Sequence, residues 1–234
     1  MNQFTNVDNA EIDKFGRLAK LWWDPAGSMG MLHTINPLRM KFITESLNIN
    51  NCKALDVGCG GGILTEALAK AGAQAMGIDL SAAPLKIAQQ HAQAQGLHID
   101  YQYASVDEIV AKHAGEFDLV ACMEVLEHIP EPHKIVAACA RLLKPNGHAF
   151  FSTINRNPKS FLFAIVGAEY VLRIMPRGTH TYRKLIRPSE LKRWAQKNDL
   201  KFQNLASLIY NPFNKKFKVA EKEDVNYMVH FVRN

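Results

Sequence analysis

From Cys52 onward the chain alternates between two patterns of apolar and polar positions. Short, almost continuous apolar runs at CKALDVG, AQAMGIDLS, IDYQYAS, FDLVACME and HAFFSTIN predict five strands covered on both faces. Between several of them, apolar residues return every three or four positions: in GGILTEALAKAG, closed by Gly72, in Pro84 to Gln95, ending at Gly96, and in HKIVAACARLLKPNG, stopped by the Pro145–Gly147 turn. These are helices. Helices threaded between buried strands build β-α units, so the pattern predicts an α/β, Rossmann-like doubly wound domain with a mostly parallel sheet.

The flanks follow other patterns. Asp8 to Leu21 places Ile12, Phe15, Leu18 and Ala19, then Trp22, at helical spacing, and Asn36-Pro37 predicts a second helix with Asn36 as its cap and Arg39 in its first turn. Downstream, NPKSFLFAIVGAEYVLRIMPRGTH interrupts the alternation. A helix capped by Ser189 then runs to Lys197, and KFQNLASLIYNP and DVNYMVHFV predict two late strands joined by a basic loop.

Composition narrows the class. The 234 residues are 47% hydrophobic and 21% charged, as in one globular domain with a full core, which excludes a disordered or low-complexity chain. No apolar run approaches the ~20 residues of a spanning helix. The start, MNQFTNVDNAEID, is polar and acidic, unlike a signal peptide, so a cytoplasmic protein is expected. Cys52, Cys59, Cys122 and Cys139 form no CxxC pair or metal knuckle. The net charge of +6 is unevenly divided: residues 1–140 hold 10 Lys+Arg and 16 Asp+Glu, and residues 141–234 hold 18 and 6. The basic half suits nucleic acid or an anionic membrane surface, or serves nothing beyond solubility, and the arrangement of the charges has to decide.

The sharpest motif is Leu55-Asp56-Val57-Gly58-Cys59-Gly60-Gly61-Gly62, which ends the first strand and opens a helix. Glycines there let backbone approach a ligand at a helix N-terminus. A dinucleotide fingerprint needs a third glycine at 63, where Ile63 stands, and Asp56 repels a pyrophosphate but suits a cationic ligand. Asp79 ends the second strand, where a carboxylate accepts from ribose hydroxyls, and Met123 ends the fourth. Taken alone, the glycines are a tight turn and Asp79 a helix cap. Together they resemble the class I S-adenosylmethionine-dependent methyltransferases over roughly Ala54 to Thr153. That resemblance implies a seven-stranded sheet, with S-adenosylmethionine held by Asp56, Gly58, Gly60, Asp79 and Met123.

A narrower resemblance covers nearly the whole chain. WWDPAGSMGMLHTINPLRMKFI, MEVLEHIPEPHK, STINRNPKSFLFAIVGAEYVLRIMPRGTH and DVNYMVH are similar to the bacterial ubiquinone biosynthesis O-methyltransferases. The resemblance implies methyl transfer to phenolic hydroxyls of a 2-polyprenyl-6-hydroxyphenol and of demethylubiquinol. It adds Arg39 to the cofactor site and makes other quinone-synthesis enzymes candidate partners. It divides one domain into an N-terminal cap (1–50), a cofactor-binding core (51–155), an insertion (156–187) and a C-terminal helix with strands (188–234). A methyltransferase for another phenol or metabolite, and a membrane-associated binding module, are the alternatives.

The chemistry needs a proton acceptor, because a neutral phenol is a poor nucleophile. His128, or Glu127 beside it, is the candidate general base. Alternatively Glu124, Glu127 and His128, matching an E-x-x-E-H pattern described in relatives that use Mg²⁺, coordinate a cation that acidifies the catechol, or His128 merely packs near the cofactor. The insertion offers Phe161, Leu162, Phe163, Ile165 and Val166 as apolar contacts, with Arg173 and Arg177 among its basic residues, to an anionic membrane surface. A buried helix or a subunit interface is the other reading of that segment. Nucleic acid is not expected, since apolar side chains stand between the charges. The whole predicts a cytoplasmic enzyme peripherally bound to the inner membrane.

Overall fold

The computed structural model of the protein describes residues 5–160, 182–211 and 216–234. Their elements in chain order are α1 (Asn9–Leu18), α2 (Gly30–Thr44), β1 (Lys53–Val57), α3 (Ile63–Lys70), β2 (Gln74–Asp79), α4 (Ala82–Ala94) and β3 (Asp100–Tyr103). Next come α5 (Val106–His113), β4 (Phe117–Met123), α6 (Pro132–Leu142), β5 (Leu143–Ile154) and the single turn α7 (Pro158–Ser160). The chain closes with α8 (Pro188–Gln196), β6 (Leu200–Asn211), β7 (Lys216–Ala220) and β8 (Asn226–Arg233). Strand order is β3-β2-β1-β4-β5-β8-β6-β7. The first five strands pair in parallel, and the pairs β5–β8, β8–β6 and β6–β7 are antiparallel.

The doubly wound sheet is therefore present, with eight strands and not seven. The extra strand is β7, in the stretch expected to be a basic loop: Lys216 to Ala220 pairs with Ser207 to Asn211. Alternate residues of each strand enter two buried clusters. Leu55, Val120 and Phe151 join Ile109 of α5, Val136 of α6 and Leu191 of α8. Ala54, Leu119 and Phe150 join Phe42 and Ile43 of α2 and Leu64 and Leu68 of α3. Coverage on both faces is what makes these strands near-continuous apolar runs.

Other elements also differ from expectation: β5 begins at Leu143, directly after α6, and takes in the Pro145–Gly147 stretch expected to be a turn. The second helix begins at Gly30 and carries Pro37 inside it. Burial of Ile35, Phe42 and Ile43 offsets the lost backbone bond at Pro37, and Asn36 is a buried side chain donating to the Ile63 carbonyl at 3.2 Å. α8 is capped at Arg187 with Pro188 in its first turn, and Glu190 accepts from the Arg187 N–H at 2.9 Å, so Ser189 lies inside the helix. Finally, α5 stands between the third and fourth strands, where no helix was expected. Ser105 and Glu108 form a reciprocal capping box at its start. Ser105→Ala is expected to cost about 1 kcal/mol, read as a lower unfolding midpoint in urea with unchanged slope.

Most of the insertion expected at 156–187, including Phe161, Leu162, Phe163, Ile165, Val166, Arg173 and Arg177, lies outside the described residues. On its described flanks, Arg156 pairs with Glu190, and Lys184 pairs with Asp8 at 2.8 Å. No helix among the described residues is long and apolar enough to cross a membrane.

Candidate active site

The chain runs from β1 outward through β2 and β3, then returns to β4 and β5 on the other side of β1. A crevice opens beyond the carboxyl ends of β1 and β4 at such a reversal. Gly58 leaves β1 there with φ of +73°, and Gly60 follows at +53°. A Cβ on Gly58 would stand 2.4 Å from Val125, and one on Gly60 would stand 2.1 Å from the Trp22 ring. Only glycine fits either place. Asp79 ties the loop to β2: its Oδ2 accepts from the Gly60 N–H at 2.9 Å and its Oδ1 from the Ser81 N–H at 2.7 Å. The cap and the ligand-facing readings of Asp79 are thus not exclusive, because the amide bonds hold the carboxylate at the crevice.

The N-terminal segment closes over this loop. Trp22 is buried with Met29 and Ile63, and Trp23 donates Nε1–H to the Gly61 carbonyl at 2.9 Å. Trp23 also stacks on His91 with ring centroids 3.5 Å apart, and His91 Nδ1 lies 2.7 Å from the buried Glu66 carboxylate. The segment carrying Trp22 and Trp23 is therefore a fitted cover whose aromatic rings replace side chains that the glycines lack.

Beneath the loop lies a charged network. Asp56 is buried and accepts from Thr65 Oγ1 at 2.7 Å, and burial pushes its carboxyl up to about 6 against the opposing effects of that bond and of Arg39. Arg39 is 5% exposed, with its Nη2 3.4 Å from Glu124 Oε1. Neither Nε nor Nη2 has a hydrogen-bond partner among the described residues. A buried guanidinium with unsatisfied donors is costly unless an acceptor arrives, and a ligand carboxylate is such an acceptor. Glu124 adopts φ of +56° directly after β4, and its Oε1 accepts from Ser152 Oγ at 2.7 Å and Asn226 Nδ2 at 3.0 Å. Met123 is buried at the end of β4 among Ile35, Leu64 and Phe150.

Glu127 and His128 lie in the short turn that follows. Glu127 Oε2 accepts from Thr153 Oγ1 at 2.9 Å, and burial, then the charge of Glu124, pushes the Glu127 carboxyl up to about 7. His128 Nδ1 is 3.1 Å from Glu11 Oε2, and its ring meets the Phe15 ring edge-on at 5.2 Å. Burial alone would lower the imidazole pKa, but the Glu11 bond and the charges of Glu127 and Glu11 outweigh it and raise it.

A methyltransferase domain model matches residues 55–151, the glycine loop through β5. Among full-length relatives, the ubiquinone biosynthesis O-methyltransferase of Saccharophagus degradans is 51% identical over 229 residues, 97% of each chain. That of Dechloromonas aromatica is 49% identical, covering 98% of this chain and 99% of the relative. The chain belongs to the ubiquinone biosynthesis O-methyltransferase family. The fold agrees: magnesium protoporphyrin IX methyltransferase from Synechocystis PCC 6803, solved with bound SAH, superimposes with a TM-score of 0.70 at 19% identity. The alignment covers 97% of this chain and all of that one.

For a methyltransferase of this family, the site as folded gathers Arg39, Asp56, Gly58, Gly60, Asp79 and Met123 around the carboxyl ends of β1, β2 and β4. It does not gather a metal set. Glu124 is turned to Arg39, Ser152 and Asn226, His128 offers Nδ1 to Glu11, and the Glu127 carboxyl is raised toward neutrality. Mg²⁺ takes oxygen ligands with octahedral geometry, and among the described residues no group of three or more His, Cys, Asp and Glu is placed to hold a metal. The Mg²⁺ arrangement weighed from sequence does not fit these side chains. Glu11, Ser152 and Asn226 escaped the sequence reading, since each gains its role from a partner distant in the chain, and Thr65 escaped it because a helix threonine nine residues after Asp56 carries no pattern of its own.

Two outcomes follow from this geometry. Asp79→Ala is expected to weaken S-adenosylhomocysteine by about 1–3 kcal/mol in calorimetry and to lower the melting temperature, because the Gly60 and Ser81 amides lose their acceptor. The raised carboxyl of Glu127 means the native state holds a proton that the unfolded state releases above pH 4.5, so stability falls as pH rises through about 7. Glu127→Gln is expected to remove that fall, raising stability by at most about 3 kcal/mol near pH 8 and little near pH 5, measured by urea unfolding at both.

Proposed function

We propose that the protein methylates phenolic hydroxyls of a polyprenylated catechol or quinol, with His128 as the proton acceptor. The observation carrying the reading is a half-buried, polar-anchored imidazole beside the crevice in a chain half identical to a ubiquinone biosynthesis O-methyltransferase over 97% of its length. S-Adenosylmethionine, when bound, supplies an electrophilic methyl group. Its carboxylate suits Arg39, whose Nε and Nη2 are otherwise unsatisfied, and its ribose suits Asp79. Asp56 adds negative charge behind the glycine loop, and Gly58 and Gly60 keep side chains out of the ligand's way. Trp22 and Trp23 shut water away from the loop. The test is incubation with labelled S-adenosylmethionine and a prenylated catechol, with and without chelator. Methylation that survives chelation is expected, and no labelled product would sink the reading.

The same reading places the enzyme at a membrane surface, as the substrate's tail requires. Burying each tail CH₂ is worth about 0.8 kcal/mol, so the acceptor stays in the bilayer. The apolar sequence from Phe161 to Met175 and the basic residues around it supply the chemistry of an interfacial contact. Of the basic residues around it, Arg156 and Lys184 are paired internally, and Lys159, Arg173, Arg177, Arg183 and Arg187 are the basic groups for lipid in this proposal. Cosedimentation with anionic and not with neutral liposomes is expected, and Phe161→Asp with Phe163→Asp should abolish it. Equal sedimentation with both vesicles would remove the electrostatic part.

A further inference from the structure

We infer that Glu11, carried by the N-terminal helix, is the positioning residue of the methyl-acceptor base: its carboxylate holds Nδ1–H of His128, so that Nε2 is the nitrogen that takes the phenolic proton. This rests on the proposal that His128 is the base and goes beyond it by assigning a partner, a tautomer and a role for α1.

Three observations converge. Glu11 Oε2 lies 3.1 Å from His128 Nδ1, and both side chains are largely shielded, at 19% and 14% exposure. The neutral ring has one N–H and one lone pair, so a carboxylate that accepts from Nδ1 leaves the lone pair on Nε2. Second, Phe15, one turn along α1, meets the same ring edge-on at 5.2 Å and fixes its plane. Third, α1 is anchored from outside its own sequence. Asn6 exchanges two hydrogen bonds with the Glu131 backbone at 2.8 and 3.1 Å, and Asp8 pairs with Lys184 at 2.8 Å. Helix entry, carboxylate and aromatic edge therefore reach His128 as one rigid piece. The His128 bond first, and then Lys14, 3.3 Å from the same Oε2, hold the Glu11 carboxyl below its ordinary value, with Glu127 the other charge beside the ring.

In the reaction the phenolic oxygen forms the new O–CH₃ bond as the S–CH₃ bond breaks, and the electron pair of that bond stays on sulfur. The phenolic proton moves to Nε2, and the imidazolium so formed is stabilised by the Glu11 carboxylate, as a buried acid stabilises the histidine of a hydrolase triad. The N-terminal helix is thus part of the catalytic apparatus and not only a cover.

The experiment compares wild type, Glu11→Gln, Glu11→Asp and His128→Ala on a short-chain prenylated catechol and on its more acidic ring-nitrated analogue, in detergent. Glu11→Gln is expected to lower kcat on the catechol by about tenfold or more with KM nearly unchanged, because the amide favours the wrong tautomer. Glu11→Asp should restore part of it. On the nitrated acceptor, which ionises without help, the loss should shrink to within about twofold. A merely structural role for Glu11 would depress both acceptors alike. ¹⁵N spectra of the labelled imidazole supply a readout independent of turnover: protonated Nδ1 in wild type, protonated Nε2 in Glu11→Gln. Unchanged ¹⁵N shifts, or equal losses on both acceptors, overturn the assignment of Glu11. Full activity of His128→Ala overturns the base itself, a failure separate from that of Glu11.

Discussion

His128→Ala is expected to lower kcat on a prenylated catechol by about 100-fold or more while S-adenosylhomocysteine binds as in wild type. A phenol with a pKa near 10 is ionised to roughly one part in a thousand at pH 7, which sets the scale of what a base can recover. The ring is held by Glu11 and Phe15, on the side of the N-terminal helix, so its loss leaves the glycine loop and Asp79 in place. The variant should regain rate steadily toward alkaline pH, as more phenolate forms unaided. Wild type behaves otherwise. Its imidazole pKa is raised above the ordinary 6.5 by the Glu11 bond and the neighbouring carboxylates, so its kcat climbs at a pH above that value and then levels. Measuring kcat across this range separates the two, and a variant with kcat within twofold of wild type would show that His128 is not the base.

Gly60→Ala is expected to weaken S-adenosylhomocysteine by about 100-fold or more, from two additive causes. Holding a non-glycine residue at φ of +53° costs roughly 1–2 kcal/mol. The new Cβ would also stand 2.1 Å from Trp22, whose ring is buried with Met29 and Ile63 and has nowhere to yield, so the cover must lift. Adding Trp22→Ala should relieve the steric part and leave the backbone part, a partial recovery that calorimetry on the double variant can read. Wild-type affinity in Gly60→Ala would remove the glycine loop from the site.

The β-α core was readable because its strands are buried on both faces and so write uninterrupted apolar runs, as in Leu119-Val120-Ala121-Cys122. What escaped was governed by partners remote in sequence. Pro37 reads as a helix start, yet burial of Ile35 and Phe42 carries α2 through it. Lys216-Phe217-Lys218 reads as a charged loop until β6 pairs with it. α5 did carry its own signal in Ser105 and Glu108, and was short enough to be passed over. In the site, Gly58, Asp56 and Asp79 form a local pattern that any such loop displays. Asp8 and Glu11, by contrast, carry no such local pattern: Asp8 caps α1 through Oδ1, and only the fold shows that its Oδ2 turns to Lys184 and that Glu11 turns to His128.

The docking of the N-terminal helix has a consequence for how the enzyme comes into being. Synthesis is vectorial, so α1 leaves the ribosome first, while its anchors Glu131 and Lys184 follow 125 and 176 positions later. Until they emerge, Phe15 and Leu18 can rest on Trp22, Met29 and Ile63, but the entry to the helix is not yet tied down. The helix that carries Glu11 is therefore locked in place only after Lys184 has been made, 176 positions beyond Asp8.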